Sequence, residues 1–161
     1  MGRAILSSLA ISVVAVAGWA QSDNRTVIGD SNEYLAAGAT AIRAGRYDDG
    51  IRLTNLGLEQ DDSTIFVRAA ALANLCAAHA AKGEADLAIE RCDESLELNP
   101  GNWRAYSNRS YAHYLKGDYS EALTDVTSAA AIAPEAPQVK QIQGLLNERR
   151  LRPRVTMEDR R

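Results

Sequence analysis

Aromatic side chains are scarce in this sequence. They make up 6% of its 161 residues, and phenylalanine occurs once. The core must therefore be assembled from Ala, Leu and Ile packed at short range. Two Cys and two His are too few for a cysteine-rich zinc module or a disulfide-framed miniprotein. Neither sign of charge dominates: a formal net charge of −3 excludes a surface tuned throughout to nucleic acid. Also missing are Gly-x-Ser-x-Gly, a phosphate loop and His-Glu-x-x-His. Paired acids occur at Asp48-Asp49 and Asp61-Asp62, but both pairs flank predicted helix ends, where acids suit the helix dipole. The sequence is therefore read as a non-enzyme without cofactor or metal site. What is present, 46% hydrophobic and 24% charged residues, is the mix of one soluble globular domain.

The first twenty residues stand apart. Arg3 precedes an apolar stretch, Ala4 to Ala17, with a few serines, and no other charge appears before Asp23. Small residues follow in Ala15-Val16-Ala17 and Gly18-Trp19-Ala20. This is the layout of a signal peptide cleaved after Ala17 or Ala20, and it is short for a membrane span, which needs roughly 20 apolar residues. Residues 1–20 are expected to be removed on export, with residues 21–30 a short linker. The protein is then expected in the periplasm or secreted, an oxidising setting.

Self-similarity is the most informative feature. An offset of 34 residues carries Gly83 onto Gly117, Ala88 onto Ala122, Pro100 onto Pro134 and His79 onto His113. A weaker copy lies upstream at an offset of 38, carrying Tyr34 onto Leu72 and Gly45 onto Gly83. The four additional residues are about one helical turn. They are placed within residues 63–68, as an extra first turn on the following helix. Each copy shows two apolar stretches of helical period separated by Gly and a polar residue. Asp30 with Glu33 and Asp118 with Glu121 read as capping boxes, and Asn102 as a cap. Small residues at Cys76, Ala88, Ser110 and Ala122 let paired helices approach closely. Beyond the copies, Val139, Ile142, Leu145 and Leu146 recur at helical spacing, which predicts a terminal helix over residues 135–150. An arginine-rich tail, residues 151–161, is read as disordered.

The carrying segments, LANLCAAHAAKGEADLAIERCDESLELNP from Leu72 to Pro100 and AYSNRSYAHYLKGDYSEALTDVTSAAAIAP from Ala105 to Pro134, resemble the tetratricopeptide repeat. The last copy fills the family's slots with Tyr106, Ser110, His113, Gly117, Ala122 and Pro134, and the middle copy with Leu72, Cys76, His79, Gly83, Ala88 and Pro100. The first copy departs more, with Gly50 in the Ala slot and Asp62 in place of the closing Pro. The resemblance implies an all-α fold: a short right-handed α-solenoid of three helix pairs (31–64, 65–102, 103–134) and a capping helix. It also implies a hollow lined by the first helix of each pair. Carried over by residue, that hollow holds Leu35, Ala39 and Ile42, then Ala73, Asn74 and Ala77, then Arg104, Ser107, Asn108, Tyr111 and Tyr114. Some family members grip a C-terminal carboxylate with Lys, Asn and Arg. Leu35 and Ala39 stand where that grip has Lys and Asn, so it is not carried over.

An Ala-rich hollow with polar and aromatic groups at one end suits a peptide laid in it. The expected function is a non-catalytic protein–protein interaction module of the cell envelope, binding a peptide segment of a partner protein. The alternative is a self-associating scaffold whose groove is filled by a neighbouring chain; a monomer is favoured. The arginine tail can meet an anionic surface or serve solubility. The two His, at equivalent slots, are read as packed rings rather than ligands. Cys76 and Cys92 fall on facing sides of one helix pair, where they either form a disulfide or remain small apolar fillers.

Gly50 and Gly57 lie inside the second helix of the first copy, each costing on the order of 1 kcal/mol relative to Ala. Native-state hydrogen exchange is expected to show this copy opening first. Finding its amides to be the slowest in the molecule would contradict that reading.

Overall fold

The computed structural model describes residues 32–60 and 63–151. The apolar leader, the linker, Asp61-Asp62 and the arginine tail beyond Leu151 lie outside these residues. Among the described residues seven helices follow one another: α1 (Glu33–Arg43), α2 (Tyr47–Glu59), α3 (Ile65–Ala81), α4 (Ala85–Leu98), α5 (Trp103–Lys116), α6 (Tyr119–Ile132) and α7 (Pro137–Leu151). No strand occurs among the described residues. α1 pairs with α2, α3 with α4 and α5 with α6, and each pair stacks on the next.

The hairpin turns explain the recurring glycine. Gly45, Gly83 and Gly117 have φ of +76°, +79° and +89°, the left-handed region that side chains with a Cβ resist. Open space surrounds all three, so it is backbone conformation and not crowding that requires glycine. The additional four residues before the middle copy are found as the first turn of α3, from Ile65 to Arg68. Thr64 caps it, its hydroxyl accepting from the Val67 amide at 3.4 Å.

Of the three expected caps, Asp30 lies outside the described residues and the other two are not made. α1 is capped by Asn32, whose side-chain oxygen accepts from the Leu35 amide at 3.1 Å. Asp118 precedes α6 without a side-chain cap bond; its carboxylate turns back to His113 at 3.7 Å and Lys116 at 3.9 Å. Asn102 also makes no cap. It reaches instead into the preceding repeat, donating to the Ser95 hydroxyl at 3.0 Å.

Close approach holds the pairs together. Ser110 donates to the Ala122 carbonyl at 2.6 Å, joining α5 to α6. Ser95 donates to the Ala69 carbonyl at 2.7 Å, joining α4 to α3. Such side chain–backbone bonds require helices to nearly touch, which Ala, Ser and Cys permit. Between repeats the same two slots form an ion pair each time: Lys82 with Asp48 at 2.7 Å and Lys116 with Asp86 at 2.6 Å. The corresponding positions at the ends are Ala44 and Ser120, so the series starts and stops within the chain. α7 closes the far end, burying Val139, Ile142 and Leu146 against Ala122, Val126 and Ala129 of α6.

The glycines of the first pair serve this packing. A Cβ on Gly50 would lie 3.1 Å from the Ile42 backbone nitrogen and 3.2 Å from the Gly38 carbonyl. One on Gly57 would sit 2.7 Å from Leu35 Cγ. Helix propensity alone makes Gly→Ala favourable, but here α1 would have to retreat. Gly50→Ala is expected to lower stability by about 1–3 kcal/mol, the usual cost of overpacking. Gly144 in α7 has nothing within 4 Å of its added Cβ, so Gly144→Ala should raise stability by about 0.5–1 kcal/mol. Urea denaturation of the two variants checks both signs; a stabilising Gly50→Ala would refute the close contact.

Candidate functional site

The curvature of the stack identifies its inner face. α1 touches α3, α3 touches α5 and α5 touches α7, whereas no contact joins α2 to α4 or α4 to α6. The first helices of the pairs therefore crowd together while the second helices splay. The hollow lies on the side of α1, α3 and α5.

The expected groove residues divide into two groups. Leu35 and Ala39 are buried, and Leu35 packs on Gly57 of α2. Ile42 is half-buried against Gly50. The structure thus turns Leu35 and Ile42 towards α2, a correction to the reading that places them on the open hollow. The cause is the glycine pair of α2, which admits both side chains. Ala73 and Ser107 are buried too. Asn108 is buried and fully engaged: its amide donates to the Ala73 carbonyl at 2.8 Å and its oxygen accepts from Gln138 of α7 at 2.5 Å. Tyr111 and Tyr114 are half-buried beside the α6–α7 cluster. Their rings stack with centroids 6.4 Å apart, and Tyr114 meets Tyr119 edge-on at 5.7 Å. The tyrosines therefore seat the capping helix as well as bordering the hollow. Gln138 carries no sequence signal for this role, because the repeat pattern has ended before it.

Asn74, Ala77 and Arg104 form the second group, each half-exposed. Asn74 occupies the slot equivalent to Asn108, yet its amide makes no hydrogen bond among the described residues. The Arg104 guanidinium lies 4.4 Å above the Trp103 ring, a cation–π contact. It has no carboxylate partner among the described residues, and burial holds its pKa below the ordinary arginine value. Trp103 was not anticipated; an aromatic directly before a groove arginine is the only clue the sequence offers. So the middle of the hollow offers the half-exposed Ala77, one free amide and one partly desolvated cation.

Other polar groups are already satisfied. Arg109 binds Asp125 through two nitrogens, at 2.8 and 2.6 Å, and also reaches Asp93 of α4. These carboxylates raise its pKa, Asp125 foremost. The pocket that Arg109 and Asp125 border, with His113, Ser120, Glu121 and Thr124, has a volume of about 250 Å³, and its strongest charges neutralise one another. His79 contacts the Glu84 carboxylate at 2.7 Å, so the two histidines serve separate hairpins. No group of three metal-ligating side chains occurs among the described residues.

Architecture and curvature define the class: a tetratricopeptide-type α-solenoid. The comparisons with known proteins agree. No family model matches the chain. DnaJ homolog subfamily C member 3 of Gallus gallus is 27% identical over 110 residues, which is 68% of this chain and 22% of the relative. The FK506-binding protein-like protein of Rattus norvegicus is 33% identical over 72 residues, 45% of this chain and 21% of the relative. The chain thus spans about a fifth of the length of the curated relatives it matches. Among solved structures, the first tetratricopeptide domain of Spaghetti (RPAP3), bound to the HSP90 peptide SRMEEVD, superposes with a TM-score of 0.63 at 19% identity, covering 72% of this chain and 89% of that one. These likenesses show the fold of the tetratricopeptide-repeat domains.

Cys76 of α3 and Cys92 of α4 are joined in a disulfide, with Cα atoms 5.3 Å apart and both residues fully buried. It closes a loop of 16 residues in the middle pair, for which the chain-entropy model gives about 3 kcal/mol. In denaturant, neither cysteine is expected to react with an alkylating reagent until a reductant is added. Immediate labelling of both would contradict the bridge. Replacing both by Ala should cost roughly 2–4 kcal/mol.

Proposed function

We propose that this chain is a non-catalytic protein-interaction module of the cell envelope that holds a peptide segment of a partner in the hollow of α1, α3 and α5. The observation that carries the reading is the contrast between Asn108 and Asn74. The first spends its amide within the fold; the second, one repeat earlier, presents the same group unused, and Arg104 of α5 has no carboxylate partner among the described residues.

The chemistry of such a complex follows from these groups. A peptide backbone offers both a carbonyl and an N–H, and the Asn74 amide can pair with each. The short side chain of the half-exposed Ala77 leaves room for a chain to lie close. Arg104 favours an acidic side chain on the segment and exchanges one partly desolvated state for a paired one. A solved structural neighbour holds a peptide, SRMEEVD, that carries acidic residues, which supports this class of ligand. Export is supported by the apolar leader of the sequence and by the buried disulfide, which suits an oxidising compartment.

The test is site-specific photocrosslinking in cells from position 74, with position 90 on α4 as the outward control. The captured segment is then titrated as a synthetic peptide against Asn74→Ala and Arg104→Ala. Each variant should bind about tenfold more weakly, as expected for one hydrogen bond or charge-assisted contact. Equal capture from both positions, or unchanged affinity in both variants, would overturn the groove as the binding site.

A further inference from the structure

The middle repeat differs from its neighbours at one slot. By the offsets of 38 and 34 residues, Gly38, Cys76 and Ser110 are equivalent positions on the first helices, and Thr54, Cys92 and Val126 on the second. The helices of a pair meet closely there: a Cβ on Gly38 would collide with the Thr54 side chain, and Ser110 donates to the Ala122 carbonyl across its pair. Only Cys76 and Cys92 place a reversible covalent bond at this slot. A change of redox state therefore acts on α3 and α4 and leaves the contacts within the flanking pairs unaltered.

The Cys92 sulfur has a second neighbour. It lies 3.0 Å from the Ala105 carbonyl oxygen of α5. A cystine sulfur carries no proton, so in the oxidised protein this contact is not a hydrogen bond. A thiol at the same place can donate one. Cys76 has no such acceptor among the described residues. Both ends of the arrangement adjoin the hollow. Asn74 lies two residues before Cys76 on α3, and the Ala73 carbonyl accepts from the Asn108 amide. Arg104 directly precedes Ala105 on α5. Ala73, Cys76, Cys92 and Ala105 belong to one buried cluster.

We propose that the Cys76–Cys92 disulfide is a redox switch for the peptide site, with Cys92 as its pivot. In the oxidised state the bridge ties α4 to α3. A dithiol reductant passes two electrons to the cystine. One of its thiolates attacks a protein sulfur to form a mixed disulfide, and its second thiol then releases that sulfur. The reductant ends as a disulfide, and its two protons end on Cys76 and Cys92. Both residues are fully buried, so the attack waits on α3 parting from α4. In the reduced state the Cys92 thiol donates to Ala105 and holds α4 to α5, while α3 is no longer tied. Because α3 carries Asn74, the hollow loses the rigid placement of that amide and with it affinity. The regulation rests on the hollow being the binding site; the two redox states do not.

The states are read without a ligand. The full chain is reduced with dithiothreitol in mild urea, the urea is removed, and hydrogen exchange and infrared spectra are compared with those of the oxidised protein. Amides of α3 are expected to exchange roughly tenfold faster or more after reduction, with those of α5 and α6 unchanged. The S–H absorption should show two bands, one displaced to lower frequency by hydrogen bonding, and Cys92→Ser should abolish the displaced band alone. Exchange that is unchanged or equally faster throughout, two undisplaced bands, or unfolding on reduction would each overturn the switch. Photocrosslinking from position 74, repeated after reduction, reads the regulation: capture should fall about tenfold. Equal capture in both states would overturn control of the site. Capture in neither state would overturn the peptide site itself, and the regulation with it, whatever the bands show.

Discussion

Close approach of helices at residues with little or no side chain is the constraint on which this structure rests. With one phenylalanine in the chain, small residues set the spacing at many of the contacts between helices. The gaps must be small. Ser110 under Ala122, Ser95 under Ala69 and the cystine between α3 and α4 all presuppose backbones drawn near each other. The glycines of α2 take the same principle further, since Gly50 and Gly57 receive Ile42 and Leu35 directly.

That constraint shapes the hollow. Short side chains let α1, α3 and α5 crowd into an inner layer while α2, α4 and α6 fan outwards. An inner layer built mostly of alanine leaves space and offers few polar groups. Those it does offer are distributed unevenly. Towards α7 the polar and aromatic groups are spent on the chain itself, Asn108 on Ala73 and Gln138, the tyrosines on the capping helix. In the middle, Asn74 and Arg104 are not. The binding surface is therefore set by where the fold stops using its own hydrogen-bonding capacity, and on α5 the boundary falls between Arg104 and Asn108.

Much of this was legible in the residues. Glycine at three hairpin turns, the 34-residue spacing and the small residues at Cys76, Ala88, Ser110 and Ala122 prescribe paired helices, because each is required by backbone geometry. The extra turn was legible for the same reason: an offset of four residues keeps a helix face in phase. Side-chain direction was less accessible. Leu35 and Ile42 hold groove slots in the repeat frame, but the pattern does not reveal that their opposite number in α2 is glycine and so draws them inward. Nor does it distinguish Asn74 from Asn108, identical residues at equivalent slots, of which only the second donates to the preceding repeat and accepts from Gln138. Caps misled in a similar way. Asp118 and Asn102 have the right chemistry for capping but find better partners across a turn or a repeat.

The central claim is that no hairpin of this chain shields its own apolar side and that order comes from leaning on a neighbour. The most direct test is to excise the middle pair, residues 65–102, with its disulfide closed, and follow its circular dichroism through urea. The account predicts weak helicity and no cooperative transition, because Ala73, Cys76 and Leu96 lose the cover that Ala105 and Ala112 of α5 give them. A sharp, cooperative unfolding of the isolated pair would contradict it.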